Sequence, residues 1–99
     1  MRIELLDLAK EDLLEGFHFY ETKEAGLGDY YLTNLFSDIE RLKISAGIHR
    51  QSHRGLYRAL SKRFPVAIYY TTADNAVWIR SIVDCRRRPS WIRAHLKMA

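Results

Sequence analysis

Apolar and polar positions recur with two different periods along this chain, and the change of period divides it. From residue 56 onward the period is two. In LYRALSKR, Leu56, Arg58, Leu60 and Lys62 fall on one side and Tyr57, Ala59, Ser61 and Arg63 on the other. Val66, Ile68 and Tyr70 then alternate with Ala67, Tyr69 and Thr71. Val77, Ile79, Ser81 and Val83 alternate with Trp78, Arg80, Ile82 and Asp84. A period of two sends successive side chains to opposite faces of a sheet. Bulk on both faces marks central strands, and the β-branched and aromatic content favours strand over helix. Asp74 and Asn75 separate the last two runs with residues that tolerate positive φ, as a tight hairpin requires. Pro65 lacks an N–H for the ladder and can only open its strand. Together these features predict a three-stranded antiparallel meander with cations at its edge and exit.

Ahead of residue 47 the period is helical. Residues 2–6 (RIELL) make a short strand candidate. Asp7 is placed to cap a first helix, with Glu11 and Asp12 in its early turns, where the dipole favours acids. Leu13, Phe17 and Tyr20 form a stripe that Leu14 widens, and its simplest role is core. Gly26 stops this helix. After the break Gly26-Leu27-Gly28, a second helix is predicted from about Asp29 to Ala46. Tyr31, Leu35, Ile39, Leu42 and Ala46 form its apolar face, flanked by Leu32 and Phe36. Asp38 and Glu40 stand at helical spacings from Arg41 and Lys43, the pattern of ordinary surface pairs. So short a break makes the two helices a hairpin that covers one sheet face. Gly47 ends the second helix, 47–55 (GIHRQSHRG) is a polar, basic loop, and a short helix is predicted from about Ser90 to Lys97. The expected order is β-α-α-β-β-β(-α), an α+β fold.

Ninety-nine residues suit one domain, 1–99, around one core. The apolar runs are too short to span a membrane, and the start at Met1 lacks the pattern of a signal peptide. A single cysteine, Cys85, cannot form an internal disulfide, which points to a cytoplasmic setting. His18, His49, His53 and His95 are scattered without metal-ligand spacing, so neither a metal nor another cofactor is expected. The charge is uneven. Residues 1–49 carry 5 Lys/Arg against 10 Asp/Glu, and residues 50–99 carry 11 against 2, a balance of −5 followed by +9. A half so short of acids suggests an anionic partner.

Four segments in order, DLLEGFHFYETKEAGLGDYYL, RFPVAIYY, VWIRSIVD and CRRRPSWI, resemble the RelE/ParE superfamily of toxins from bacterial type II toxin–antitoxin (plasmid stabilisation) modules. The resemblance covers nearly the whole chain. It implies the RelE/ParE-like fold, with a helical hairpin packed on an antiparallel-meander sheet. It also implies a growth-inhibiting protein neutralised by a cognate antitoxin, which alone would bring it to operator DNA. RelE-like members cut mRNA on the ribosome, whereas ParE-like members act on DNA gyrase. Some members are inactive, and a toxin-like co-repressor is a third expectation.

Cleavage of RNA through its 2′-OH needs a base, an acid for the leaving oxygen and cations about the phosphate. In the RelE-like pattern, sheet arginines hold the phosphate, while a lysine, glutamate or histidine and a C-terminal tyrosine move protons. Arg58 and Arg80 match the first role by position. The second is poorly filled: the tail after Asp84 has no tyrosine, and Trp91, the nearest aromatic residue, cannot exchange a proton. Lys62, His49, His53, Asp84 and His95 remain. The nuclease set is thus Arg58, Arg80, Lys62 and His53. The set for contact with a target or an anion is Arg63, Arg86, Arg87, Arg88 and Trp91. The departure at the tyrosine tilts the reading toward a ParE-like binding toxin. The competing structural expectations are that Arg58 and Arg80 pair with Asp84 or helix carboxylates, that Arg86–Arg88 are a solvated turn, that Tyr69, Tyr70 and Trp78 are packing, and that Cys85 is buried.

Overall fold

The computed structural model describes residues 1–49, 51 and 55–99. Its elements are β1 (Arg2–Leu5), α1 (Asp7–Lys23), α2 (Leu27–Glu40), the single turn α3 (Leu42–Ser45), β2 (Tyr57–Leu60), β3 (Val66–Ala73), β4 (Ala76–Asp84) and α4 (Pro89–Leu96). The sheet order is β1-β4-β3-β2. The meander is antiparallel throughout, and β1 joins it parallel to β4, with Arg2 opposite Ala76 and Leu5 opposite Ile79. Asp74 (φ 53°) and Asn75 (φ 55°) make the tight β3–β4 turn that their residue types predict.

The sheet is covered on both faces. On one, Val66, Ile68, Tyr70, Val77, Ile79 and Ala59 pack with Leu13 of α1, Tyr31, Leu35 and Ile39 of α2, and Leu42 of α3. Each large aliphatic side chain buried there contributes roughly 1.5–3 kcal/mol. On the other face α4 lays Leu96, Trp91 and Ile92 against Leu56, Ala67, Tyr69 and Val83. This second layer explains why β3 reads apolar in both phases.

Two glycines let the hairpin close. A Cβ on Gly16 would stand 2.4 Å from the Tyr31 hydroxyl, and one on Gly28 would stand 2.7 Å from the Phe17 ring. At the hairpin turn the Glu21 carboxylate accepts the backbone N–H of Gly26 (3.0 Å) and of Gly28 (2.9 Å), groups that α2 itself leaves unpaired. These bonds hold the Glu21 pKa below the usual carboxylate value.

Several expectations are corrected. Leu6, not Asp7, holds the N-cap of α1, and Asp7 is its first residue. The second helix breaks at Arg41 and ends at Ser45. Leu14 is 56% exposed and Phe36 47%, so neither widens the core. The strand expected through Arg63 ends at Leu60, because the Ser61 hydroxyl takes the N–H groups of Arg63 and Phe64 and turns the chain. The expected phase of β4 holds only as far as Ile79. There an irregularity sets Tyr70 opposite Ile79 but Tyr69 opposite Ser81, leaving Arg80 as an extra residue. Beyond it Ile82 joins the hairpin side and Val83 the α4 side. Asp38 is no surface pair: it is 6% exposed, accepts the Ser61 hydroxyl at 2.6 Å and pairs with Arg41.

Candidate functional site: the basic sheet face and its exit

Period-two placement puts Arg58 on β2 and Arg80 on β4. Both are half-buried. Arg58 donates through Nε to the Tyr69 hydroxyl (3.1 Å) and through a terminal nitrogen to Cys85 Sγ (3.5 Å). Arg80 donates through Nε to Thr71 Oγ1 (3.0 Å). Neither pairs with Asp84 or a helix carboxylate among the described residues, so the expected cross-sheet ion pairs do not form. Partly buried cations held by neutral oxygens keep donors for an incoming anion. Beside Arg80 lies a cleft of about 220 Å³ lined by Leu56, Thr71, Leu96 and Ala99.

The other residues of the nuclease set do not gather here. Lys62 is exposed in the bend after β2, as is Arg63. His53 lies outside the described residues. His49 bonds the Tyr70 hydroxyl at 2.7 Å, which also accepts the Gly47 N–H at 3.0 Å, so it anchors the loop base. Burial raises the Tyr70 pKa. Tyr69, the phenol bonded to Arg58, is 6% exposed. Tyr69 and Tyr70 are core, as packing predicts, whereas Trp78 is half-buried, with Arg2 over its ring at 5.9 Å. Cys85 is half-buried rather than buried.

The arginine exit is ordered by its own contacts. Arg86 closes on Asp84 through two side-chain bonds (3.0 and 2.7 Å), and Asp84 also accepts the Arg86 N–H (2.8 Å). These bonds lower the Asp84 pKa. Arg86 also stands beside the Tyr20 hydroxyl, whose pKa is raised chiefly by burial. Arg87 lies over the Trp91 ring at 4.1 Å, and Trp91 stacks on His95 with centroids 4.6 Å apart. Arg88 is the exposed N-cap of α4. The trio is therefore no uniform solvated turn.

This stack ends on a group that the sequence reading misses. Asp12 of α1 is 8% exposed and accepts the Ser81 hydroxyl (2.6 Å), the Ile82 N–H (2.9 Å) and His95 Nε2 (2.8 Å). Its place follows from the sheet. β1 ends at Leu5, the N–H of Leu6 makes the last bond, to the Ile79 carbonyl, and β4 continues past it with an open edge. Asp12 takes the N–H there and ties α4 to the same point. As an acid in an early helical turn it reads as a dipole partner. The spacing of four between Arg87, Trp91 and His95 is the one signal of the stack.

No family model and no curated protein matches the sequence. Among solved structures the chain is similar to one from the chromosomal ParDE TA system from P. aeruginosa. The TM-score is 0.72 at 17% identity, over 85% of this chain and 95% of that one. The likeness shows the fold, which is α+β and RelE/ParE-like. Among the described residues, no helix is long and apolar enough to cross a membrane, and no three potential ligand side chains form a metal-binding group.

Proposed function

We propose that this chain is the toxin of a type II toxin–antitoxin module, neutralised by a cognate antitoxin in the cytoplasm. The ParE-like mode, inhibition of DNA gyrase by binding, is favoured over ribosome-dependent mRNA cleavage. One observation carries the preference: Arg58 and Arg80 can meet an anion, but the groups bonded to them are Tyr69, Cys85 and Thr71. Among the described residues, neither arginine is bonded to a carboxylate or imidazole that could move a proton. His95, a candidate for that work, is spent on Asp12. The exit Arg86, Arg87, Arg88 and Trp91, with Arg63, then serves as target-contact surface.

The nuclease reading keeps one support, the carboxylate-free arginines themselves, which suit a phosphate backbone. Expression of the chain alone, with pulse-labelling of DNA and protein synthesis in the first minutes, separates the two. An early fall in DNA synthesis is expected. An early fall in translation would favour the nuclease. Steady growth would refute the toxin reading and leave the inactive co-repressor.

A further inference from the structure

The hydroxyl of Tyr31 is out of place in an otherwise well-bonded interior. Tyr31 is 2% exposed, and among the described residues its oxygen has no hydrogen-bond partner. A buried hydroxyl left unpaired is costly, so the group that pairs with it is worth seeking. The oxygen stands against Gly16, where a Cβ would come within 2.4 Å of it. Tyr31 and Gly16 both line a cleft of about 130 Å³ between α1, the end of β4 and the start of α4. That is room for one side chain.

The cleft has a definite chemistry. Val66, Ile82 and the rings of Phe19, Tyr20 and Trp91 make its apolar walls. Its charged lining is Asp12, Glu15, Asp84 and Arg87. Most of that charge is committed. Asp12 already accepts from Ser81, Ile82 and His95, and Asp84 is closed by Arg86. Arg87 lies over Trp91, and Lys23 lies over Phe19. Glu15 is exposed and has no partner among the described residues. Burial chiefly raises the Tyr31 pKa, and Tyr20 and the carboxylates of Asp12 and Asp84 add to it. The hydroxyl is therefore protonated at ordinary pH, and its lone pairs sit in a negative field that favours an N–H donor.

We infer that this cleft binds an alkyl cation, the side chain of a lysine or arginine from a partner polypeptide. The aliphatic stem would lie along Val66, Ile82 and the rings, the head would pair with Glu15, and one N–H would reach the Tyr31 oxygen. The site lies apart from Arg58 and Arg80 and does not depend on the proposed toxin function.

The test is an NMR titration of the ¹⁵N-labelled protein, following the Gly16 amide and the Trp91 indole. The probes are n-propylguanidinium and n-butylammonium, with butyrate and n-butanol as controls of similar stem. Saturable shifts are expected with the two cations and not with the controls. Nα-acetyl-arginine methylamide should bind at least as well as n-propylguanidinium. Tighter binding of the free cation would overturn the assignment to a side chain. Glu15→Gln and Tyr31→Phe should each weaken propylguanidinium binding at least fivefold. Tyr31→Phe removes only a buried unpaired hydroxyl, so it should unfold at no lower urea concentration than the parent. Equal shifts from butyrate or butanol, no saturation with either cation, or unchanged binding in both variants would overturn the proposal.

Discussion

Replacing Asp12 by alanine should be among the most damaging single changes in this chain, although the residue is an acid on a helix with an acidic surface. Two buried donors would lose their acceptor: the hydroxyl of Ser81, which is 0% exposed, and the N–H of Ile82, which is 6% exposed. A buried donor left unmade costs about 1–3 kcal/mol, so the pair gives roughly 2–6 kcal/mol. His95 loses its partner too and adds less, because a side chain at the rim can turn to water. For a domain of this size each kcal/mol lowers the midpoint by roughly 4–8 °C, which predicts a fall of at least about 8 °C. Asp12→Asn keeps the one oxygen, Oδ2, that both donors use and should recover most of the loss. Urea unfolding followed by circular dichroism measures both. A double-mutant cycle with Ser81→Ala should show the two losses to be strongly non-additive, by about 1 kcal/mol or more. A loss below about 1 kcal/mol for Asp12→Ala, at unchanged m-value, would refute the view that Asp12 caps the open edge of β4.

Other consequences can be checked separately. Glu21 has its folded pKa below its unfolded one, so its bonds to Gly26 and Gly28 add stability above the unfolded carboxylate range and lose it as pH falls through the folded value. Glu21→Gln should therefore show a shallower decline in urea midpoint on acidification than the parent, and a parallel decline would contradict this. Gly16→Ala must displace Tyr31 and should cost about 1–3 kcal/mol in the same unfolding assay. Asn75→Val puts a β-branched residue at φ 55° and should cost about 1–2 kcal/mol, whereas Asn75→Gly should be neutral or stabilising. Under the ParE-like reading, Arg58→Ala with Arg80→Ala should leave growth arrest largely intact, while Arg86→Ala with Arg88→Ala should relieve it. The reverse pattern in a plating assay would favour the nuclease.

The fold was legible in this sequence because each of its main devices is local. A period of two over 66–71, a helical period over 31–42 and an Asp-Asn turn between strands each act within a few residues. The errors fall where a distant group decides the outcome. The phase of β4 changes after Ile79 because Arg80 is an extra residue against β3, and alternation of side chains carries no mark of that. Asp38 looks like a surface acid because its partner Ser61 is 23 residues away, in the loop that ends β2. The parallel pairing of β1 with β4 joins the two ends of the chain and has no local signature.

The candidate site was legible as composition but not as arrangement, and the arginines show why. The sequence presents Arg58, Arg80, Arg86 and Arg87 as alike, yet their surroundings give them different work. Arg86 is neutralised by the carboxylate two residues before it, and Arg87 is laid over an aromatic ring four residues after it. Both help to fix the start of α4 as well as lining the exit. Arg58 and Arg80 are held by a phenol, a thiol and a threonine hydroxyl instead, so their charge stays unmatched at the sheet face. Net charge therefore overstates what this half of the chain can offer a partner. Among the described residues, the positive field available to an anion comes from the two sheet arginines and from exposed Lys62, Arg63, Arg88, Arg93 and Lys97, and only weakly from Arg86 and Arg87.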